Sequence, residues 1–217
     1  GETLGMVGES GCGKTTCGRT CIGLYDKTDG QVLYKGTDVH ALNGKERFAF
    51  KKQVQRVFQD PYGSLDPRMT VADIIGEPLD IHRIASGKER QERIFELLKR
   101  VGLRKNHANR YPHEFSGGQR QAVAVARAIY HGRKLVIFDE PTAAMGVRES
   151  SAVLRLISEL ASRGIGIVII CHNLHQVFDV ADKICIMRRG RILQTVTACG
   201  VRLDEVQRMI MEADYVD

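Results

Sequence analysis

The sequence predicts an α/β fold with a mostly parallel sheet and a helical segment inserted part-way along the chain. Three observations carry this. Leu4–Val7, Leu135–Phe138 and Ile165–Ile170 are continuous apolar runs, the character of parallel strands covered on both faces. Other segments place apolar residues at i, i+3, i+4 and i+7, the period of an amphipathic helix. From about Thr70 to Arg110, strand signals are absent.

Taken in order, Leu4–Val7 is the first strand, followed by a Gly-rich turn and a helix from about Lys14 to Leu24. Gln31–Tyr34 is a short strand ending at Gly36, and Val54–Gln59 is another, stopped by Asp60-Pro61. Helical spacing follows near Val71–His82 and Lys88–Val101. In the second of these, Ile94, Leu97, Leu98 and Val101 share a face and Gly102 acts as a stop. A further helix is expected from Gln119 to about Tyr130. Strands return at Leu135–Phe138 and Ile165–Ile170, separated by a helix over Val147–Arg163. Lys183–Met187 and Arg191–Val196 read as a closing hairpin, and Asp204–Met211 as a last amphipathic helix. The expected organisation is a single unit, 1–217, with a core from 1–60 and 132–217 and a helical subdomain over 61–131.

The 217 residues are 43% hydrophobic and 27% charged, a globular composition with enough chain for a sizeable core. No window approaches the length of apolar sequence a membrane-spanning helix needs, and no signal peptide is recognisable. The chain opens at Gly1 rather than Met, as a fragment or processed product would. The net charge of +6 suits a mildly basic surface. No Lys/Arg run interleaves with aromatics and no zinc-finger spacing occurs, which argues against a nucleic-acid partner. The six cysteines form no CxxC pair and are read as reduced thiols, with Cys17 and Cys21 at i,i+4 in a helix. Cys12 reads either as a reactive thiol or as a tolerated small residue.

Gly8-Glu9-Ser10-Gly11-Cys12-Gly13-Lys14-Thr15 fits GxxxxGK[ST], the P-loop, and Thr16 continues it. Glycines let the backbone turn tightly so that successive N–H groups face one cavity, and the following helix adds its positive end. Lys14 then reaches the β- and γ-phosphates, and the Thr15 hydroxyl is a ligand for Mg²⁺. The motif follows an apolar strand and opens a helix, the context it requires. The expected fold is therefore a P-loop NTPase that takes a nucleotide and Mg²⁺. Leu135–Phe138 runs into Asp139 and Glu140, and in P-loop proteins such a first carboxylate supports the metal while the next polarises water. Ser116-Gly117-Gly118-Gln119 opens a helix and makes a second anion-binding end, distinct from the P-loop.

With these motifs in this order, the chain resembles the ATP-binding subunits of ABC transporters. The resemblance implies that Ser116, Gly117, Gly118 and Gln119 are the signature that caps the γ-phosphate held by an opposite subunit, in a head-to-tail dimer around two ATP molecules. It gives Gln59 the place of the Q-loop residue that links Mg²⁺ and attacking water to the helical insert. It gives His172, after Ile165–Ile170, the place of the switch histidine at the γ-phosphate. The remaining histidines carry no such argument and read as surface or packing residues. The implied roles are Lys14 and the loop amides on phosphate charge; Thr15, Gln59 and Asp139 around the metal; and Glu140 as general base or water positioner. Partners would be a second nucleotide-binding subunit, transmembrane permeases and, indirectly, a solute-binding protein. The implied location is the cytoplasmic face of the inner membrane.

Residues 1 to about 121 resemble the ATPases of oligopeptide and dipeptide importers, most strongly through Phe58-Gln59-Asp60-Pro61-Tyr62-Gly63-Ser64-Leu65-Asp66-Pro67. The remainder resembles those of simple-sugar importers, through Ala126–Tyr130, Glu140–Ser150 and His172-Asn173-Leu174. A chimaeric chain and one divergent subfamily both account for this. Because the family's insert receives the permease, a peptide-type partner is the expectation. Two departures stand out. Gly146 lies where the family usually carries an Asp, and no adenine-stacking aromatic precedes Gly8. N-terminal strands are thus expected to be missing, with weak adenine selectivity and an exposed sheet edge as consequences. Two other functions compete. A soluble ABC ATPase would carry two cassettes or a coiled-coil insert, and a module that binds nucleotide without hydrolysis would follow from truncation.

Overall fold

The computed structural model describes residues 1–58, 61–130, 133–143 and 145–211, the side chains of residues 61 and 62 excepted. Strand β1 (Thr3–Val7) leads into α1 (Lys14–Cys21), and two short antiparallel strands, β2 (Leu33–Tyr34) and β3 (Thr37–Asp38), follow. Helix α2 (Gly44–Gln53) then feeds β4 (Val54–Val57). The middle of the chain is helical: α3 (Pro61–Ser64), α4 (Val71–Ile81), α5 (Gly87–Arg100) and α6 (Gly117–Ala128). Strand β5 (Leu135–Asp139), α7 (Val147–Ser162), β6 (Gly166–Ile170) and α8 (Leu174–Phe178) rebuild the sheet. The hairpin β7 (Lys183–Arg188) and β8 (Arg191–Thr197) precedes α9 (Leu203–Met211).

The main sheet runs β4-β5-β6-β1-β7-β8, parallel throughout except for the antiparallel pair β7–β8. Strand β1 lies between β6 and β7, with Met6 opposite both Ile170 and Cys185. The strands expected from continuous apolar runs are buried on both faces: Val7, Val136, Phe138 and Ile169 have no exposed surface, and Ile137 and Ile170, at alternate positions, are buried too. Strand β8 is an edge and differs sharply, with Ile192 and Leu193 exposed.

Each predicted element is present, with shifted ends. Helix α1 stops at Cys21 and β4 at Val57, short of the expected Leu24 and Gln59. Helix α6 begins two residues earlier than expected because Ser116 and Gln119 form a capping box. The Ser116 hydroxyl accepts from the Gln119 N–H, and the Gln119 side chain accepts from the Ser116 N–H. Helix α2 was not anticipated. Its apolar residues Phe48, Ala49 and Phe50 are consecutive, so no 3.6-residue period shows, and only Phe50 is buried. An Asn43–Glu46 capping box starts it.

Helices α4, α5 and α6 pack on one another, and α6 also meets β4 and α7, joining the helical segment to the sheet. Ile94, Leu97, Leu98 and Val101 are all buried, as their spacing requires. The Arg127 guanidinium donates to the Ser64 carbonyl at 2.9 Å and pairs with Glu77 at 2.5 Å, tying α6 to α3 and α4. Leu98 has no exposed surface at the centre of this packing. Leu98→Ala should lower unfolding stability by about 2–5 kcal/mol, read from a urea titration.

Candidate functional site

Parallel α/β sheets bind ligands beyond the carboxyl ends of their strands. Here β1, β5 and β6 end together at a cavity of about 300 Å³. Ser10, Gly11, Gly13, Lys14, Thr15 and Thr16 form one wall, and Glu140, Ile170 and His172 the other.

The loop wall is shaped from outside as well as by its own glycines. Gly8 has φ of +148°, and a Cβ there would fall 1.9 Å from the Met187 carbonyl oxygen on β7. No other residue fits that approach. The N–H of Gly190, in the β7–β8 turn, donates to the Cys12 carbonyl at 2.9 Å. Gly13, at φ +100°, is the N-cap of α1 and offers no side-chain cap, so the first amides of α1 stay available to a ligand. The Lys14 side chain folds over the loop: its ammonium donates to the carbonyls of Gly8 at 2.8 Å and Glu9 at 2.7 Å. Cys12 is buried among Met6, Ile137, Ile170 and Met187, a packing position.

The opposite wall holds the carboxylates. Asp139 is buried at the end of β5, and the Thr15 hydroxyl donates to it at 3.1 Å. Arg56 Nη2 on β4 pairs with the other oxygen of Asp139. Glu140 follows in a left-handed conformation, φ +49°, held by its N–H donating to the Ile170 carbonyl at 2.8 Å. A non-glycine residue there costs on the order of 1–3 kcal/mol, and such strain clusters at functional sites. The turn aims the Glu140 carboxylate across to the next strand. It accepts the His172 backbone N–H at 3.0 Å and His172 Nδ1 at 2.7 Å. An ionised carboxylate can only accept, so Nδ1 carries the proton and Nε2 is left for another partner. Glu140 is buried while His172 projects into solvent. The Thr142 hydroxyl donates to Gln176 Oε1 at 2.6 Å, bracing the turn after Glu140 against α8.

The structure thus brings Ser10, Gly11, Gly13, Lys14, Thr15, Thr16, Glu140 and His172 to one pocket, with Asp139 hydrogen-bonded to its floor. Gly8, Glu9 and Cys12 shape the loop from behind. Ser116, Gly117, Gly118 and Gln119 do not line the pocket; they stand at the start of α6. Gln59 lies outside the described residues. Among the described residues, no cluster of three or more His, Cys, Asp or Glu could hold a metal by itself. The oxygen pair Thr15–Asp139 does suit a hard dication that draws its other ligands from water and phosphate. Two residues were not foreseen. Arg56 is hidden in a short strand, Val54-Gln55-Arg56-Val57, whose polar middle gave no sign that the charge is buried. Gln121 is buried and donates to the Phe58 carbonyl at 3.2 Å, linking α6 to the residue before Gln59. No local pattern could have found it.

Comparison with known proteins places this geometry. Residues 1–143 match the protein family described as ABC transporter. The chain is 50% identical over 201 residues to the oligopeptide transport ATP-binding protein OppF of Bacillus subtilis (strain 168), covering 91% of this chain and 66% of that protein. It is 44% identical over 202 residues to the dipeptide transport ATP-binding protein DppF of Lactococcus lactis subsp. cremoris (strain MG1363), covering 91% of this chain and 65% of that one. The chain therefore spans just under two thirds of the length of these relatives. Such long matches run well past residue 121. Among solved structures, it superposes with a TM-score of 0.84 on a dimeric ATP-binding cassette in a post-hydrolysis state bound to ADP and Pi. That match has 27% identity and covers 91% of this chain and 85% of that one.

The thiols around the loop differ in reactivity. The neighbouring Cys21 thiol favours the Cys17 thiolate and holds the Cys17 thiol below its ordinary pKa. Burial pushes Cys171, beside Glu140, up to about 11. The thiolate is the nucleophile, so the lowered group reacts first near neutral pH. Iodoacetamide at pH 7 followed by peptide mass mapping should label Cys17 ahead of Cys171.

Proposed function

Because the chain belongs to the ABC transporter family, we propose that it binds ATP with Mg²⁺ and hydrolyses ATP to energise an importer of peptide type. The observation that carries this is one pocket holding the Lys14 ammonium, the α1 amides and a buried Glu140 carboxylate aimed across it at His172. The high identity to oligopeptide and dipeptide transport ATP-binding proteins supports the peptide assignment.

In this reading the loop amides and Lys14 stabilise negative charge on the β- and γ-phosphates, Lys14 exchanging its loop carbonyls for phosphate oxygens. Mg²⁺, held by Thr15, Asp139 and Gln59, would neutralise phosphate charge. Glu140 accepts a proton from the attacking water. The water oxygen bonds to the γ-phosphorus as the bond to the bridging oxygen breaks, leaving ADP and phosphate. His172, oriented by Glu140, offers Nε2 to the γ-phosphate end. Ser116, Gly117, Gly118 and Gln119 complete the site of a second subunit in a head-to-tail dimer. Their position away from this chain's own pocket supports that arrangement. The two-part organisation, a core over 1–60 and 132–217 with a helical subdomain over 61–131, belongs to the same proposal. So does attachment at the cytoplasmic face of the membrane through permease subunits. No helix among the described residues is long and apolar enough to cross a membrane.

Steady-state phosphate release separates this function from a module that only binds nucleotide. Glu140→Gln should still bind ATP while its turnover falls by about 10²–10⁴-fold. Near-normal turnover would remove Glu140 from its role. Lys14→Ala should weaken ATP binding by about tenfold or more, measured by titration with a fluorescent analogue. Unchanged affinity would count against the loop as the phosphate site.

A further inference from the structure

Arg56 is a buried charged residue in a strand whose two ends, Val54 and Val57, are buried and apolar. It stands opposite Ile137 in the β4–β5 register, two residues before Asp139. From there the guanidinium extends along β5 to the Asp139 carboxylate, and both side chains are 1% exposed. Its flank lies over the Phe58 ring, 5.0 Å from the centroid. Its Nε and Nη1 have no hydrogen-bond partner among the described residues. A buried guanidinium that leaves donors unmet is costly, and an apolar side chain would pack there more cheaply. Among the described residues its one ionic contact is with the carboxylate that also receives Thr15, the oxygen pair that suits a dication.

We propose that Arg56 is a resident cation of the Asp139 site: it supplies positive charge to the carboxylate when no metal is bound and opposes the metal electrostatically when one is. This rests on the nucleotide-binding reading above. Its consequence is specific. Asp139 stays paired with Arg56 and oriented toward Thr15 in the metal-free chain, so nucleotide binding depends less on a divalent ion than it would with a neutral residue at 56. A like charge buried close to a dication weakens its binding strongly, because the interior screens poorly. Arg56 is a positioning residue, acting through Asp139.

The test compares the dissociation constant of a fluorescent, non-hydrolysable ATP analogue in EDTA with that in excess Mg²⁺, and takes the ratio as the metal's contribution. In Arg56→Met the ratio should rise by about tenfold or more over the unsubstituted chain, on the electrostatic argument. Arg56→Gln, which can still donate to Asp139, should behave alike and carries the comparison if the apolar variant loses its fold. Arg56→Lys, which keeps the charge, should stay close to the unsubstituted ratio. A merely structural role would shift both constants together and leave the ratio where it was. An unmoved ratio in the neutral variants, or a Lys variant that follows them, overturns the inference alone. An unsubstituted chain that binds the analogue under neither condition overturns the nucleotide-binding reading itself.

Discussion

The pairing of β1 with β6 on one side and β7 on the other is the constraint on which the site depends. Parallel hydrogen bonding aligns the strands end for end. Met6 therefore stands level with Ile170, and Ile170 level with Asp139. The phosphate loop, Glu140 and His172 then fall in the residues just after a strand. The loop follows Val7, Glu140 follows Asp139, and His172 follows Ile170 by two. A slip of one residue in the β5–β6 register would separate Glu140 from the carbonyl of Ile170 and release its left-handed turn. The sheet's burial on both faces makes such a slip expensive, since it would turn each apolar side chain to the opposite face.

The helical segment is held to this sheet by a few polar contacts as well as by apolar packing. Gln121 reaches from α6 to the carbonyl of Phe58, and Arg127 reaches to the carbonyl of Ser64. The first lands just after β4 and the second on α3. The Ser116–Gln119 box consumes the Ser116 hydroxyl and the Gln119 amide within the helix, and the amides of Gly117 and Gly118 play no part in it.

How much of this was legible depended on whether the signal was local. Strands β1, β5 and β6 announced themselves because burial on both faces demands unbroken apolar runs. The face formed by Ile94, Leu97, Leu98 and Val101 was visible because α5 has one dry side. The pocket residues were readable because the loop's chemistry is carried by contiguous positions. Helix α2 was invisible because it buries one side chain, Phe50, and is started by Asn43 and Glu46 rather than by a periodic stripe. The Arg56–Asp139 and Gln121–Phe58 contacts join residues far apart in the chain. Neither partner's neighbours hint at the other. The same is true of Glu140: two adjacent carboxylates suggested chemistry, but its left-handed backbone follows from Ile170, on another strand.

The contact of Gly8 with the Met187 carbonyl, and of Gly190 with Cys12, bears on what kind of object the phosphate loop is. The eight-residue consensus suggests a portable part that carries its own shape. Here half of its mould is a hairpin near the other end of the chain. Grafting the loop into another sheet without that hairpin would transfer the letters and lose the form. In an inheritance of mixed ancestry, the loop and the β7–β8 turn would have to be kept compatible, whatever lay between them.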